Sequence, residues 1–389
     1  IRRQRQMCIR DRGSRMDKEK LRVAIIGCGE VCYNHVRGYL RSGRYELVAL
    51  CDVRLEAMEA FDESFNGYPD YAPTHFLNAE AMLKEAWPDV VSVGVWDGLH
   101  KPMVDLCVKS GVKAIMCEKP MSDSTLHAWE MIKGCEENAV KLAVGHQRRF
   151  LPSYNLARDA IGNGYIGDVH LITSFARDGL PNYASHLSDT FRYLLGDAEC
   201  VWVMGNVERS TDQWARAVPI EDKALGIFGF DSGAQASILS GLTEYHGFGG
   251  RIYVINGTIE FTVDEVKIMN CDSTNWVTHR PDGNFELYGA EDFEMIEAGA
   301  AQMAEFARWI TGEISDFRGE AINGYKALEM VHAVYESART YSQVILPMKP
   351  DLNPLVKMID AGQLPVVKKG KYDIRARAWD DVPSTPSRD

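Results

Sequence analysis

Gly27-Cys28-Gly29 follows a short apolar run and precedes a helical pattern. A glycine turn between strand and helix is the context in which a dinucleotide fingerprint has a mechanical meaning. The first glycine permits the tight turn. The second lets the backbone approach a pyrophosphate, which then rests on the helix N-terminus, with Glu30 and Val31 expected at the cofactor. The third small position is Cys32 rather than Gly or Ala, still small enough for close helix packing. Asp52 stands 25 residues after Gly27, at the end of the second apolar run. A carboxylate there can accept both hydroxyls of a ribose and repels a 2′-phosphate, which favours NAD. Arg54 points the other way, since a guanidinium can pair with that phosphate, so NADP stays open. The nine cysteines show no paired-motif spacing and read as reduced thiols of a cytoplasmic protein. Cys28 and Cys32 are not taken as a zinc site, and no metal is expected.

The elements that position these residues alternate through about residue 145. Apolar runs at 21–26, 46–51, 90–95, 114–117 and 141–144 are separated by helical patterns at 33–42, 55–65, 78–87, 101–110 and 124–137. Asn78 reads as an N-cap and Gly111 as a C-cap. Strand and helix in alternation predict a parallel doubly wound sheet. From Val169 the pattern changes. Seven β-rich segments follow, at 169–175, 200–207, 224–230, 234–239, 251–255, 258–263 and 265–269, with turn signals at 231–233 and Asn256-Gly257. They predict a largely antiparallel sheet, accompanied by helices near 152–161, 185–195, 300–311 and 325–340. The segment from Pro350, rich in Pro and Lys, has no assignable element.

Composition bounds the function. The 389 residues carry 46% hydrophobic and 25% charged side chains, ordinary for a globular protein. A net charge of −12 argues against a nucleic-acid binder, which needs a basic face, and against a membrane-hugging protein. No apolar run is long enough to span a bilayer. Residues 1–15 are basic and lack an apolar core, so they do not form a secretory signal. They are expected to be a non-native leader, with Met16 as the start.

Glu118-Lys119-Pro120, directly after the run at 114–117, makes the pattern specific. With Gly27-Cys28-Gly29, Asp52 and His100 it resembles the glucose–fructose oxidoreductase / myo-inositol dehydrogenase family, Gfo/Idh/MocA. Downstream, Gly145-His146-Gln147-Arg148-Arg149-Phe150 is similar to the segment opening that family's second domain. Gly164-Tyr165-Ile166-Gly167-Asp168-Val169 is similar to its Gly-x-Ile-Gly-x-Val turn. His186-Leu187-Ser188-Asp189 with Leu194-Leu195-Gly196 looks like its His-x-x-Asp helix. The resemblance runs from about residue 21 to 348. It implies an α/β chain: a Rossmann domain over 20–145, then a C-terminal α+β domain over 146–348 whose large, mostly antiparallel open sheet mediates homo-oligomers, and a tail over 349–389.

The resemblance also implies roles. Lys119 matches a lysine that contacts substrate beside the nicotinamide, where an ammonium stabilises a developing alkoxide. Glu118 and Pro120 flank it at the cofactor. His186 matches the catalytic histidine, an imidazole able to take a hydroxyl proton. Many relatives carry an aspartate four residues earlier, where this chain has Asn182. An amide can hold a hydroxyl but cannot act as base, so the base role falls on His186, aided by Tyr183 or Asp178. Trp96 and His100 fall in a loop that lines the nicotinamide ribose in relatives, with simple packing the alternative for Trp96. Arg149, Tyr183 and Asp189 are expected to meet substrate; for His146, Arg148 and Arg149 a structural ion pair is the alternative. Tyr245, His246 and Phe248 could cap a sugar ring. The implied reaction is hydride transfer between a secondary alcohol of a sugar, sugar derivative or cyclitol and nicotinamide. Two rivals stand beside it: an NAD-dependent glycosidase that oxidises the sugar transiently, and a cofactor-binding regulator without turnover.

Overall fold

The computed structural model describes residues 20–375 apart from 165, 244–248, 272–274 and 281–289, with 290–295 as backbone alone. The leader, Tyr165, Tyr245, His246 and Phe248 lie outside the described residues.

Six strands form a wholly parallel sheet: β1 (Leu21–Ile26), β2 (Tyr45–Cys51), β3 (Tyr71–Phe76), β4 (Val90–Val93), β5 (Ala114–Cys117) and β6 (Lys141–Val144). Their order is β3-β2-β1-β4-β5-β6. β4 and β5 are buried at every position, as strands covered on both faces must be. The covering helices are α1 (Glu30–Ser42), α2 (Leu55–Phe65), α3 (Ala79–Ala86), α4 (His100–Ser110) and α5 (Thr125–Glu137). Asn78 caps α3 by accepting from the Ala81 N–H, and Gly111 closes α4 in the left-handed conformation. β3 was not expected. It is a half-exposed edge strand containing Pro73, which weakens its apolar signature. The order reverses between β1 and β4, which opens a crevice at the C-terminal ends of those strands.

The second unit opens with α6 (Pro152–Gly162), β7 (Val169–Ala176) and α7 (Ser185–Leu194). Its sheet has nine strands in the order β16-β15-β14-β13-β7-β12-β11-β8-β17. They are β8 (Cys200–Glu208), β11 (Lys223–Phe230), β12 (Gln235–Ser240), β13 (Gly250–Val254), β14 (Gly257–Phe261), β15 (Val266–Asn270), β16 (Val277–His279) and β17 (Val344–Ile345), together with β7. All neighbours are antiparallel except β7 and β12. α8 (Ala290–Ile310) returns to pack along α1, and α9 (Ala321–Thr340) lies buried between the large sheet and the nucleotide domain. No helix among the described residues is long and apolar enough to cross a membrane.

The C-terminal segment, unassignable from its sequence, forms α10 (Pro354–Asp360) and β18 (Lys368–Asp373). β18 pairs in parallel with β9 (Thr211–Ala215), which pairs with β10 (Val218–Pro219). The strand patterning of the sequence does not announce this small sheet, because β9 and β18 are short and polar and β10 has only two residues.

Candidate active site

The nucleotide turn is shaped by sterics. Gly27 has φ 93°, and a Cβ there would stand 2.7 Å from the Gly94 carbonyl oxygen. A Cβ on Gly94, in turn, would stand 2.1 Å from the Cys32 sulfur. The cysteine at the third fingerprint position is therefore accommodated by a glycine just past β4, a compensation that the turn's own residues do not announce. Asp52 accepts from the Cys28 N–H at 2.8 Å and the Arg54 N–H at 3.0 Å, and the Arg54 guanidinium lies 3.6 Å away. Gly29 precedes α1 with no side-chain cap, so the first-turn N–H groups around Glu30 and Val31 face the crevice without a side-chain partner. This cradle of small residues, helix terminus and carboxylate fits a dinucleotide. Burial, with Asp52 beside it, pushes the Cys28 thiol well up, so it is no thiolate. Among the described residues no cluster of His, Cys, Asp or Glu could hold a metal.

Glu118 and Lys119 follow β5 into the crevice, and the Lys119–Pro120 peptide is cis. Glu118 is fully engaged by the protein. It meets His35 Nε2 at 2.8 Å and accepts from the Lys119 N–H at 3.1 Å. Burial alone would raise its carboxyl, but the His35 hydrogen bond and the charges of His35 and Lys119 hold it below the ordinary value. His100 does not face the cofactor. It is fully buried, with Nδ1 at 3.1 Å from the Pro120 carbonyl and Nε2 at 3.0 Å from that of Val95. It braces the turn that carries Lys119. Trp96 is 45% exposed at the start of the adjoining 3₁₀ turn, which leaves about half of its ring surface open.

A π turn, Leu180–Ala184, runs directly into α7 and carries Asn182 and Tyr183 opposite Lys119. Asp178 and Gly179, both left-handed, lead into it. Glu221 holds its first residue: one oxygen accepts from the Leu180 N–H at 2.7 Å, the other from Tyr335 Oη at 2.5 Å. Burial raises this carboxyl to about 7. The Lys119 ammonium donates to the Asn182 backbone carbonyl at 3.2 Å. The Asn182 amide lies between two cationic donors and has one oxygen. Toward Lys119 it would accept at 3.3 Å; turned over, it accepts from Arg375 at 2.5 Å and 3.3 Å. The shorter contact assigns the oxygen to Arg375 and turns the amide N–H groups toward Lys119.

His186 is buried at the first turn of α7, its ring edge-on to His146 with centroids 5.8 Å apart. Burial holds it neutral well below the usual histidine range, and the nearby charges of Arg148 and Lys119 add to this. Burial likewise lowers Lys119 to about 8; Glu118 opposes and Arg216 reinforces the shift. Arg149 and Asp189 do not meet substrate. Both are 1% exposed and pair with each other, Arg149 Nε standing 2.8 Å and 2.9 Å from the two carboxylate oxygens, while Nη1 reaches Asp197 at 2.6 Å. The ion-pair alternative holds for Arg149, and Asp189 is its partner. Tyr183 is buried within the π turn, beside the crevice.

Sequence reasoning missed one wall of the site. Asp373, at the end of β18, accepts from the N–H groups of Arg216 and Ala217 at 3.0 Å and 2.8 Å. Arg375 reaches Asp178 at 2.8 Å. The only trace in the sequence is a basic stretch near the C-terminus. Nothing local says that it returns to a site built two hundred residues earlier.

The family profile of an oxidoreductase family with an NAD-binding Rossmann fold, Gfo/Idh/MocA, matches residues 21–146. The profile of that family's C-terminal alpha/beta domain matches 158–346. The D-glucoside 3-dehydrogenase of Escherichia coli is 26% identical over 365 residues, covering 86% of this chain and 99% of that protein. The D-apiose dehydrogenase of Paraburkholderia graminis is 25% identical over 372 residues, covering 88% and 94%. The WlbA dehydrogenase of Bordetella pertussis, solved with NADH and UDP-GlcNAcA, shares the fold at TM-score 0.69 and 22% identity over 86% of this chain and all of that one. With a nucleotide cradle at the β1–α1 turn and both profiles matched along most of its length, this chain belongs to the Gfo/Idh/MocA family of oxidoreductases.

Proposed function

We propose that this protein is an NAD(P)-dependent dehydrogenase acting on a secondary alcohol of a sugar, sugar derivative or cyclitol. The observation that carries this is the convergence of half-buried Lys119 with buried Asn182 and His186 at the crevice beyond β5. Gly27, Gly29 and the first turn of α1 hold the pyrophosphate, Asp52 the ribose, and Trp96 flanks the nicotinamide end. Asp52, already paired with Arg54, favours NAD over NADP. When bound, the nicotinamide supplies a hydride acceptor. The chain supplies the rest. His186, neutral at physiological pH, takes the hydroxyl proton. Lys119, charged below about 8, stabilises the oxygen as negative charge develops. Asn182 orients the alcohol through its amide.

A second assignment of the base is favoured by one observation. An amine lowered to about 8 is itself matched to proton abstraction, with His186 then a hydrogen-bonding partner. The two differ in the sign of their pH dependence.

The exposed face of the large sheet carries Met204, Leu225, Tyr253 and Ile345, and we propose a second copy of the chain as its cover. The free, mostly buried thiols support a cytoplasmic location.

The test is NADH formation from NAD across a panel of free sugars, uronic acids, inositols and aryl glycosides, with wild type and Lys119→Ala. NADH from one class, lost by about a hundredfold or more in the variant while NADH binding survives, supports the proposal. Release of aryl alcohol only in the presence of NAD, with no net NADH, replaces it by the glycosidase. NAD binding without any turnover leaves a regulator.

A further inference from the structure

We propose that the substrate carries a carboxylate, bound by Arg216 and Arg375 on the wall that the C-terminal segment completes. This rests on the dehydrogenase assignment above and names its substrate class.

The turn joining β9 to β10 is the two-residue pair Arg216-Ala217, with φ 51° and 63°. Such a turn asks for left-handed backbone at both positions, which Asn and Gly supply with little strain. Arginine and alanine are strained there. Asp373 offsets this by accepting both N–H groups. A strained turn pinned from a strand more than 150 residues away thus holds Arg216 near Lys119. A local rule broken and compensated at a distance marks a residue placed for what it presents.

What Arg216 presents is unspent charge. It is half-buried, and among the described residues its guanidinium has no ion pair and no hydrogen bond. It lies close enough to Lys119 and Asp97 to act on both. Arg375 is partly spent. Its Nη2 serves Asp178 and Asn182, while Nη1 makes no hydrogen bond among the described residues.

The charges around the crevice do not cancel. Lys119 comes from the β5 end, and Arg216 and Arg375 from the small sheet. Against them stand Glu118, Asp178 and Asp97. Glu118 is taken by His35 and the Lys119 N–H, and Asp178 is shared by Arg177 and Arg375. Asp97 is buried, and that burial raises its carboxyl. A neutral sugar would leave the Arg216 guanidinium half-desolvated and without a counter-charge, which is costly. A carboxylate answers them with the planar, two-oxygen geometry that guanidinium groups recognise. It would also oppose the cationic field that makes a proton costly on His186.

The test is calorimetric titration of the full chain loaded with NADH. The ligands are D-glucuronate against D-glucose, and D-galacturonate against D-galactose, with D-glucose 6-phosphate as a second anion. In the wild type at least one acid should bind about tenfold or more tighter than its neutral partner. In Arg216→Gln and in Arg375→Gln that ratio should shrink severalfold, with NADH affinity reporting on folding. The proposal is overturned if no acid outbinds its neutral partner, including the case in which neither binds. It is equally overturned if the preference survives both substitutions, or if only the phosphate ester discriminates. Failure of the wild type to bind NADH would instead strike the dehydrogenase assignment itself.

Discussion

The two ends of the crevice are built on different principles. The cofactor end is backbone and sterics: Gly27 against Gly94, Gly94 against Cys32, and one carboxylate holding the turn. Most of its parts lie within one βαβ unit. The substrate end is side-chain charge gathered from five distant segments, around residues 119, 148, 182–186, 216 and 375. Three of these are held by partners remote in sequence: Glu221 under the π turn, Asp189 under Arg149 beside Arg148, and Asp373 under Arg216. A shape that backbone can make is written locally. A charge pattern has to be assembled by the fold.

The contrast sharpens at the two arginine–carboxylate contacts of the substrate end. Arg149→Ala leaves Asp189 buried without its partner and should cost about 3–5 kcal/mol of stability in denaturant unfolding. Arg375→Gln removes a half-exposed ion pair and the contact to the Asn182 amide, and should cost about 1–2 kcal/mol. Equal losses would break the distinction between a pair that builds the wall and one that serves it.

At the cofactor end the expected effect is smaller and purely steric. Gly94→Ala drives a methyl into the Cys32 sulfur and should cost about 1–3 kcal/mol, with weaker NADH binding. Adding Cys32→Ala should restore most of both, since the clash is with the sulfur. Failure of that rescue would mean that the turn depends on more than packing volume.

The same division governs what the sequence reveals. Strand–helix alternation and the Gly27-Cys28-Gly29 turn are local, so the parallel sheet and its crevice were legible, as were the long strands of the open sheet. Lys119, Asn182 and His186 were legible through motif context, and they do converge. His100 and Asp189 carry the same family pattern yet serve as brace and ion-pair partner, because a spacing cannot tell a residue that faces the crevice from one that supports the wall. β3 escaped because an edge strand need not be apolar. Arg216, Arg375 and their clamp Asp373 escaped entirely: five- and six-residue polar strands have no periodicity, and their pairing spans more than 150 residues.

The central claim is that His186 takes the proton while Lys119, as a cation, steadies the oxygen. It is tested most directly by kcat/KM for alcohol oxidation as a function of pH. Lys119, lowered to about 8, is roughly 90% charged at pH 7 and roughly 10% at pH 9. His186, held well below the usual range, stays neutral throughout. We expect a plateau from about pH 6.5 to 7.5 and a fall through pH 8, with the fall displaced upward in Lys119→Arg. A rate that instead rises through pH 8 would make the neutral amine of Lys119 the base and contradict the assignment.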